Sequence, residues 1–273
     1  LTSNAVISRY DRGRAIKGSS GNANHGIGNG TTFEGGKVDT SLQFDGGDST
    51  GDHVNAGPVS NFSATTALTV SAWVYADSAP TTQGRTALST FEYVSSSENY
   101  GWNFGAIWTT PSYEFIICDG GTADNKVEDT TFFSDNLKEW VHYVGVYSAS
   151  NYLRLYKNGV LVDEQTTGVA TSISYYTGTD LIFGRRSVDA QSYWDGKIDE
   201  VRVYNTAISE DDIERLYSLG IEEKSSGTHT SASLDTESSS SDIESITWTA
   251  AGDATGDGET PYSTTNLIAQ WDF

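Results

Sequence analysis

Apolar and polar positions alternate in short runs along most of the chain, and turn residues separate the runs. This pattern predicts strands at Ser41–Asp45, Leu68–Ala76, Arg85–Tyr93, Tyr100–Trp108, Tyr113–Cys118, Trp140–Tyr147, Tyr152–Tyr156, Val160–Asp163, Leu181–Phe183 and Lys197–Tyr204. In Leu68–Tyr75 both alternating sets are rather apolar, which marks a central strand. Asn158-Gly159 is the strongest hairpin signal, because both residues tolerate the positive φ of a two-residue turn. Only Ser209–Leu219 reads as a helix. Ser209 is placed as its N-cap, Asp212 as the acid of a capping box, Ile208 and Ile213 as a hydrophobic staple, and Gly220 as the C-terminal stop. Ile198, Val201 and Val203 sit among charged residues, so the strand before this helix is expected in a half-wet sheet. About ten short antiparallel strands with one helix predict an all-β, two-sheet antiparallel jelly-roll sandwich.

Composition narrows the partners. Sixteen Lys and Arg against 37 acids give a net charge of −21. Such a field disfavours nucleic acid and membrane insertion or adsorption to anionic lipid. It also fits a protein adapted to concentrated salt. Cys118 lies alone in an apolar run and is expected as a buried thiol. The chain shows no signal peptide and no transmembrane run, and it reads as a mature secreted chain or a piece of a longer one. Asn29-Gly30-Thr31 and Asn61-Phe62-Ser63 are sequons compatible with surface glycosylation at Asn29 and Asn61.

Six segments then occur in order: Ser19–Gly26 (SSGNANHG), Leu42–Gly46 (LQFDG), Leu68–Tyr75 (LTVSAWVY), Trp140–Tyr147 (WVHYVGVY), Leu153–Val162 (LRLYKNGVLV) and Ile198–Ser209 (IDEVRVYNTAIS). As an ordered set they resemble the laminin-G-like, concanavalin A-like jelly-roll domains of secreted multidomain proteins. The resemblance runs from about Asn4 to Gly220 and implies an extracellular or cell-surface location. It settles no function, since such folds serve lectins, adhesins, glycanases and spacers.

Beyond Gly220 the composition shifts to Ser, Thr, Gly and acids. The chain therefore divides into a jelly roll at 1–220, a connector at 221–262 and a terminal strand at 263–273. Within the connector, Ile243, Ile246 and Trp248 read as a strand-like run. Leu267–Asp272 echoes Val6–Asp11 in pattern, and two explanations stay open. The strand either begins a further repeat, or it docks on a sheet edge of its own domain or of a neighbouring copy. Docking is the expectation, with Leu267, Ile268, Trp271 and Phe273 as the linking side chains. Head-to-tail docking between copies builds a filament unless it closes into a ring.

For catalysis, the concanavalin-like glucanases carry E-x-D-x-(x)-E on a strand, where alternation aims the carboxylates into one cleft. The nearest match here, Glu210–Glu214, falls in the predicted helix, where such residues diverge. His25, His53, His142 and His229 lack metal-ligand spacing. No enzyme is expected. Asp45, Asp48 and Asp52 share a Gly-rich loop whose oxygens suit calcium. The resemblance implies Asp45 with Asp199 or Asp52 as ligands of a structural calcium. Exposed aromatics could stack on sugars: Trp102, Trp108, Tyr113, Tyr175, Tyr176, Tyr193 and Trp194 are candidates, and Tyr193-Trp194 is the best pair. The expected function is a non-catalytic building block of a surface filament or repetitive adhesion protein. The alternatives are a calcium-dependent carbohydrate-binding module and, least favoured, a glycan-active enzyme.

Overall fold

A computed structural model describes residues 14–16, 24–47, 51–96, 98–107, 111–121, 125–187, 191–221 and 267–271. The first five strands, β1 to β5, are Arg14–Ile16, Gly26–Asn29, Thr32–Gly35, Thr40–Asp45 and His53–Pro58. Strands β6 to β11 follow at Ala67–Ala76, Arg85–Ser89, Glu92–Ser95, Glu98–Ala106, Tyr113–Asp119 and Asn125–Asp129. After a one-turn helix, α1 (Phe132–Asp135), come β12 to β16 at Trp140–Ser148, Tyr152–Lys157, Val160–Gln165, Asp180–Phe183 and Asp195–Tyr204. Helix α2 spans Glu210–Ile221 and β17 spans Leu267–Trp271.

These strands form two antiparallel sheets. One runs β1-β2-β5-β15-β7-β9-β10-β11, with β8 added on β9; the other runs β14-β13-β12-β6-β16-β4-β3, with β17 added on β16. The all-β jelly-roll sandwich expected from the pattern is the fold observed. Each of the ten strands predicted between Ser41 and Tyr204 is found, though Arg85–Tyr93 divides into β7 and β8. Strands β1, β2, β3, β5 and β11 and helix α1 carried no clear pattern, being short or rich in Gly and polar residues.

Between the sheets lies an aromatic core. Tyr113 of β10 stacks on Tyr143 of β12 with centroids 4.0 Å apart, and Phe104, Phe132 and Trp194 meet these rings edge-on or close by. Aromatic pairs add to the area they bury. Gly145 of β12 leaves room for this packing, since a Cβ there would stand 2.5 Å from the Phe115 ring. Cys118 is buried, as expected, on the opposite face of β10 with Phe91, Ile107 and Ile116.

Strand β16 corrects two expectations. Ile198 and Val201 both face the core although they stand three positions apart. The pairing with β6 shifts register between Asp199 and Arg202, and Glu200 takes φ +50, so a bulge resets the alternation. Asp199, Glu200 and Arg202 are buried, with the Arg202 guanidinium paired to Glu200, so this part of the sheet is not half-wet. At α2 the cap is as read: the Asp212 N–H donates to Ser209 Oγ at 3.2 Å, and Ser209 Oγ donates to Asp212 Oδ2 at 2.7 Å. Ile208 and Ile213 join one cluster with Val144, Val146 and Tyr156. Gly220 is not the stop, however. It lies inside α2, and a Cβ there would approach Trp73 Nε1 to 2.3 Å. Close helix-to-sheet contact is why Gly stands at this position.

The terminal strand β17 docks on its own chain. Val201 to Val203 of β16 pair with Trp271 to Ala269, and Tyr204 with Leu267. Residues Asp195–Ile198 of the same edge pair with β4, so β4 and β17 share one side of β16 end to end. Val6–Asp11, Ile243–Thr249 and Phe273 lie outside the described residues.

Candidate functional site

The outer face of the larger sheet carries a groove where β2, β5 and β15 run side by side. Val54 and Ala56 of β5, like Leu181 and Phe183 of β15, point into the core. Alternation therefore sends His53 and Asn55, and Asp180 and Ile182, to the outside. The register aligns Ile27 and Ile182 with Asn55 from either side, and Asn29 with His53. A pocket of about 650 Å³ is lined by His25, Ile27, Asn29, His53, Asn55 and Asp180. A second, of about 370 Å³, is lined by Asn55, Glu92, Tyr176, Asp180, Ile182 and Arg185, among others. Both include Asn55 and Asp180, so the two pockets adjoin at this pair.

Hydrogen bonds fix the floor. Gly57 N–H donates to Asn55 Oδ1 at 2.8 Å, which turns the Asn55 amide nitrogen toward Asp180 Oδ2 at 2.7 Å. Asp180 lines both pockets, and a carboxylate has acceptor capacity beyond one hydrogen bond. His53 Nδ1 lies 3.3 Å from the Gly51 carbonyl, so Nδ1 carries the proton and Nε2 accepts. Burial, with the Arg185 charge second, lowers the His53 pKa and keeps the ring neutral near pH 7. Tyr176 stands at the rim, 43% exposed, its ring 5.4 Å from that of Tyr100. Arg185 lines the second pocket with Tyr176, and its Nη1 donates to the carbonyls of Arg186 and Ser187 at 3.1 and 3.3 Å, which fixes the guanidinium. An apolar ring over acceptors and donors of fixed orientation is what a hydroxylated ring-shaped ligand needs.

Of the aromatics proposed from sequence, only Tyr176 belongs to this groove. Tyr193 and Trp194 are buried at 2% and 0% exposure, which corrects their reading as an exposed pair. The loop that holds them folds inward, and Trp194 Nε1 donates to the Lys197 carbonyl at 3.2 Å. Tyr175 is half-buried against the core and donates its OH to the Ala64 carbonyl at 2.9 Å, so it offers no platform. Trp102 and Tyr113 are core residues, and Trp108 lies outside the described residues.

In the acidic loop two of the three expected carboxylates, Asp45 and Asp52, lie among the described residues. Asp45 Oδ1 accepts from Gly47 N at 3.1 Å and from Asp52 N at 3.2 Å. Burial and the neighbouring Asp45 raise the Asp52 pKa to about 6. Asp199 is not part of this cluster. It sits four residues along β16 from Asp195, the residue opposite Asp45, a separation of about 13 Å at ordinary strand rise. There it accepts from Val38 N at 2.9 Å and Glu200 N at 2.8 Å. Asp48 lies outside the described residues. Among the described residues no group of three or more His, Cys, Asp or Glu is placed to hold a metal.

Other predicted residues are dispersed. His142 lies under α2, its Nε2 2.9 Å from Ser71 Oγ, and burial lowers its pKa to about 3. Glu210, Asp211 and Asp212 occupy the first turn of α2, as expected from the helix reading. Asn29 and Asn61 are both exposed, Asn29 on the groove wall. His229 lies outside the described residues.

Residues 48–214 match a laminin-G model of the concanavalin A-like lectin/glucanases superfamily. The chain belongs to that superfamily. No curated protein matches it. Among solved structures it is similar to the binding domain of botulinum neurotoxin DC in complex with rat synaptotagmin II, with a TM-score of 0.55 and 13% identity. That alignment covers 76% of this chain and 51% of the other. The same domain in complex with SialylT gives a TM-score of 0.54 at 12% identity, covering 76% and 50%. The binding domain of Paraclostridial Mosquitocidal Protein 1 gives 0.52 at 14%, covering 76% and 52%. The chain thus spans about half the length of these binding domains, and at such identities the likeness is one of fold.

Proposed function

We propose that this superfamily member is a non-catalytic glycan-binding domain that holds a sugar chain in the groove between β2, β5 and β15. The observation that carries the reading is the oriented Asn55–Asp180 pair on the groove floor beside the exposed Tyr176 ring. Sugar hydroxyls bond to fixed carboxylate and amide groups, and the apolar face of a pyranose stacks on an aromatic ring. The SialylT complex of a structural neighbour is in keeping with this, as is the placement of the Glu210–Glu214 acids on a helix instead of a cleft-lining strand. We place its action outside the cell, on the strength of the family resemblance. The test is binding of the intact chain to a glycan array, followed by calorimetry on the hits. Binding that Asp180→Ala and Tyr176→Ala weaken supports the reading, and hits that both variants bind as well as the parent overturn it.

A second reading, a unit of a filament linked head-to-tail, has its support in β17. Its short antiparallel pairing with β16 is a contact that a neighbouring copy can equally supply.

A further inference from the structure

The pocket that Tyr176 lines also holds a cation without an ion-pair partner among the described residues. Arg185 is half-buried, and among the described residues no carboxylate lies within ion-pair distance of it. Its two hydrogen bonds use Nη1 alone and end on backbone carbonyls, which leaves Nη2 and Nε without a partner among the described residues. Burial lowers its pKa and the Tyr193 phenol is the group that offsets this. The acids that share the pocket are otherwise engaged: Asp180 accepts from Asn55, and Glu92 feels the charge of Arg186. Charges beyond about 8 Å are screened at physiological salt, so the distant part of the net charge weighs little on Arg185. A guanidinium with a free edge binds carboxylate or sulfate oxygens through paired N–H donors.

We infer that Arg185 forms a subsite for the anionic group of an acidic sugar, a uronate carboxylate or a sulfate ester, with the sugar ring against Tyr176. This rests on the glycan-binding reading above and adds a ligand class to it. The probes are tetragalacturonate, a chondroitin sulfate tetrasaccharide and neutral cellotetraose, titrated against the intact chain. An acidic probe should bind more tightly than cellotetraose, and its affinity should fall as salt rises from 50 to 500 mM. Preference for tetragalacturonate assigns a carboxylate, and preference for the chondroitin probe a sulfate. Arg185→Gln should weaken the preferred acidic probe about tenfold to a hundredfold, with Arg185→Lys in between. Thermal melting checks that both variants fold, and the salt titration of the parent chain stands without them. Binding of cellotetraose as tightly as the acidic probes overturns the anionic subsite and leaves the glycan reading intact. Failure of every probe and of the glycan array overturns both.

Discussion

The Asn55 amide donates to the Asp180 carboxylate across 2.7 Å, although the two residues are 125 positions apart in the chain. Each reaches the outer face through its own strand, and together they line both pockets. Asp180→Ala removes the acceptor and leaves Asn55 turned toward nothing. Glycan affinity should fall at least tenfold by calorimetry, because hydrogen bonds to a charged group contribute about 1.5–3 kcal/mol. An unchanged dissociation constant would place the site elsewhere.

Tyr176→Ala should weaken the same glycans about threefold to tenfold, the range of about 0.5–1.5 kcal/mol for an aromatic contact. Its ring is 43% exposed, so the melting temperature should move by less than about 2 °C. Trp194→Ala, by contrast, empties a fully buried site and should cost about 3–5 kcal/mol of stability. A comparison of the two in calorimetry and denaturant unfolding separates platform from core.

Gly145→Val and Gly220→Ala each push a side chain into a ring, Phe115 in the first case and Trp73 in the second. Overpacking of this kind costs about 1–3 kcal/mol, and both variants should unfold at lower urea concentration than the parent chain. Gly220→Ala is the sharper test. If Gly220 merely ended α2, alanine there would be tolerated.

Acid should stabilise this protein over part of its range. Burial, against the hydrogen bonds from Val38 and Glu200, raises the Asp199 pKa to about 7, and burial with the neighbouring Asp45 raises that of Asp52 to about 6. An unfolded Asp titrates near 3.9, so the folded chain holds these protons where the unfolded chain has lost them. Their contribution is fully present below about pH 4 and is lost as pH rises through about 6 and 7. Asp129 works the other way at lower pH: despite its burial, hydrogen bonds from Lys157, Tyr143 and Thr131 hold it below the usual carboxylate value. The two aspartates should therefore raise the melting temperature as pH falls from 8 to 5. His142 and His53 oppose this, since their lowered pKa values remove stability below about pH 6.5. Asp199→Asn should flatten the upper part of that rise. A profile that is the same in parent and variant would show that Asp199 does not titrate in this window.

Removing residues 267–273 exposes the edge of β16 from Val201 to Tyr204. Lower thermal stability and a tendency to associate through that edge are expected, measured by calorimetry and by light scattering after size exclusion. If the native chain forms head-to-tail polymers, the truncated chain should lose them. Polymers that persist without β17 would sink the linking role of Leu267, Ile268 and Trp271.

The segments read correctly from sequence share a local cause. Asn158 and Gly159 adopt φ +51 and +80, as the two-residue hairpin between β13 and β14 requires, and both torsions follow from adjacent residues alone. Ser209 and Asp212 cap α2 because their partners lie three positions away. The alternation in β6 and β12 is long and apolar enough to announce central strands. Such features depend on short stretches of chain, and so they and the ordered family segments were legible.

The groove was not legible, and its elements show why. His53–Pro58 holds Asn55 but has only two small apolar residues in alternation and ends on Gly-Pro, so the segment carried no strand signal. Tyr193-Trp194 looked exposed because polar residues flank it, yet the loop turns inward to fill the space beside Phe132 and Phe133. By itself the sequence determined the jelly-roll sandwich, the capped helix, the central strands and the acidic character of the surface. The tertiary structure decided which aromatic is exposed, that Asp199 stands apart from Asp45, and that Asn55, Asp180, Tyr176 and Arg185 line one groove. These depend on strand order and register, which are set by contacts between residues far apart in the chain and so leave no local trace.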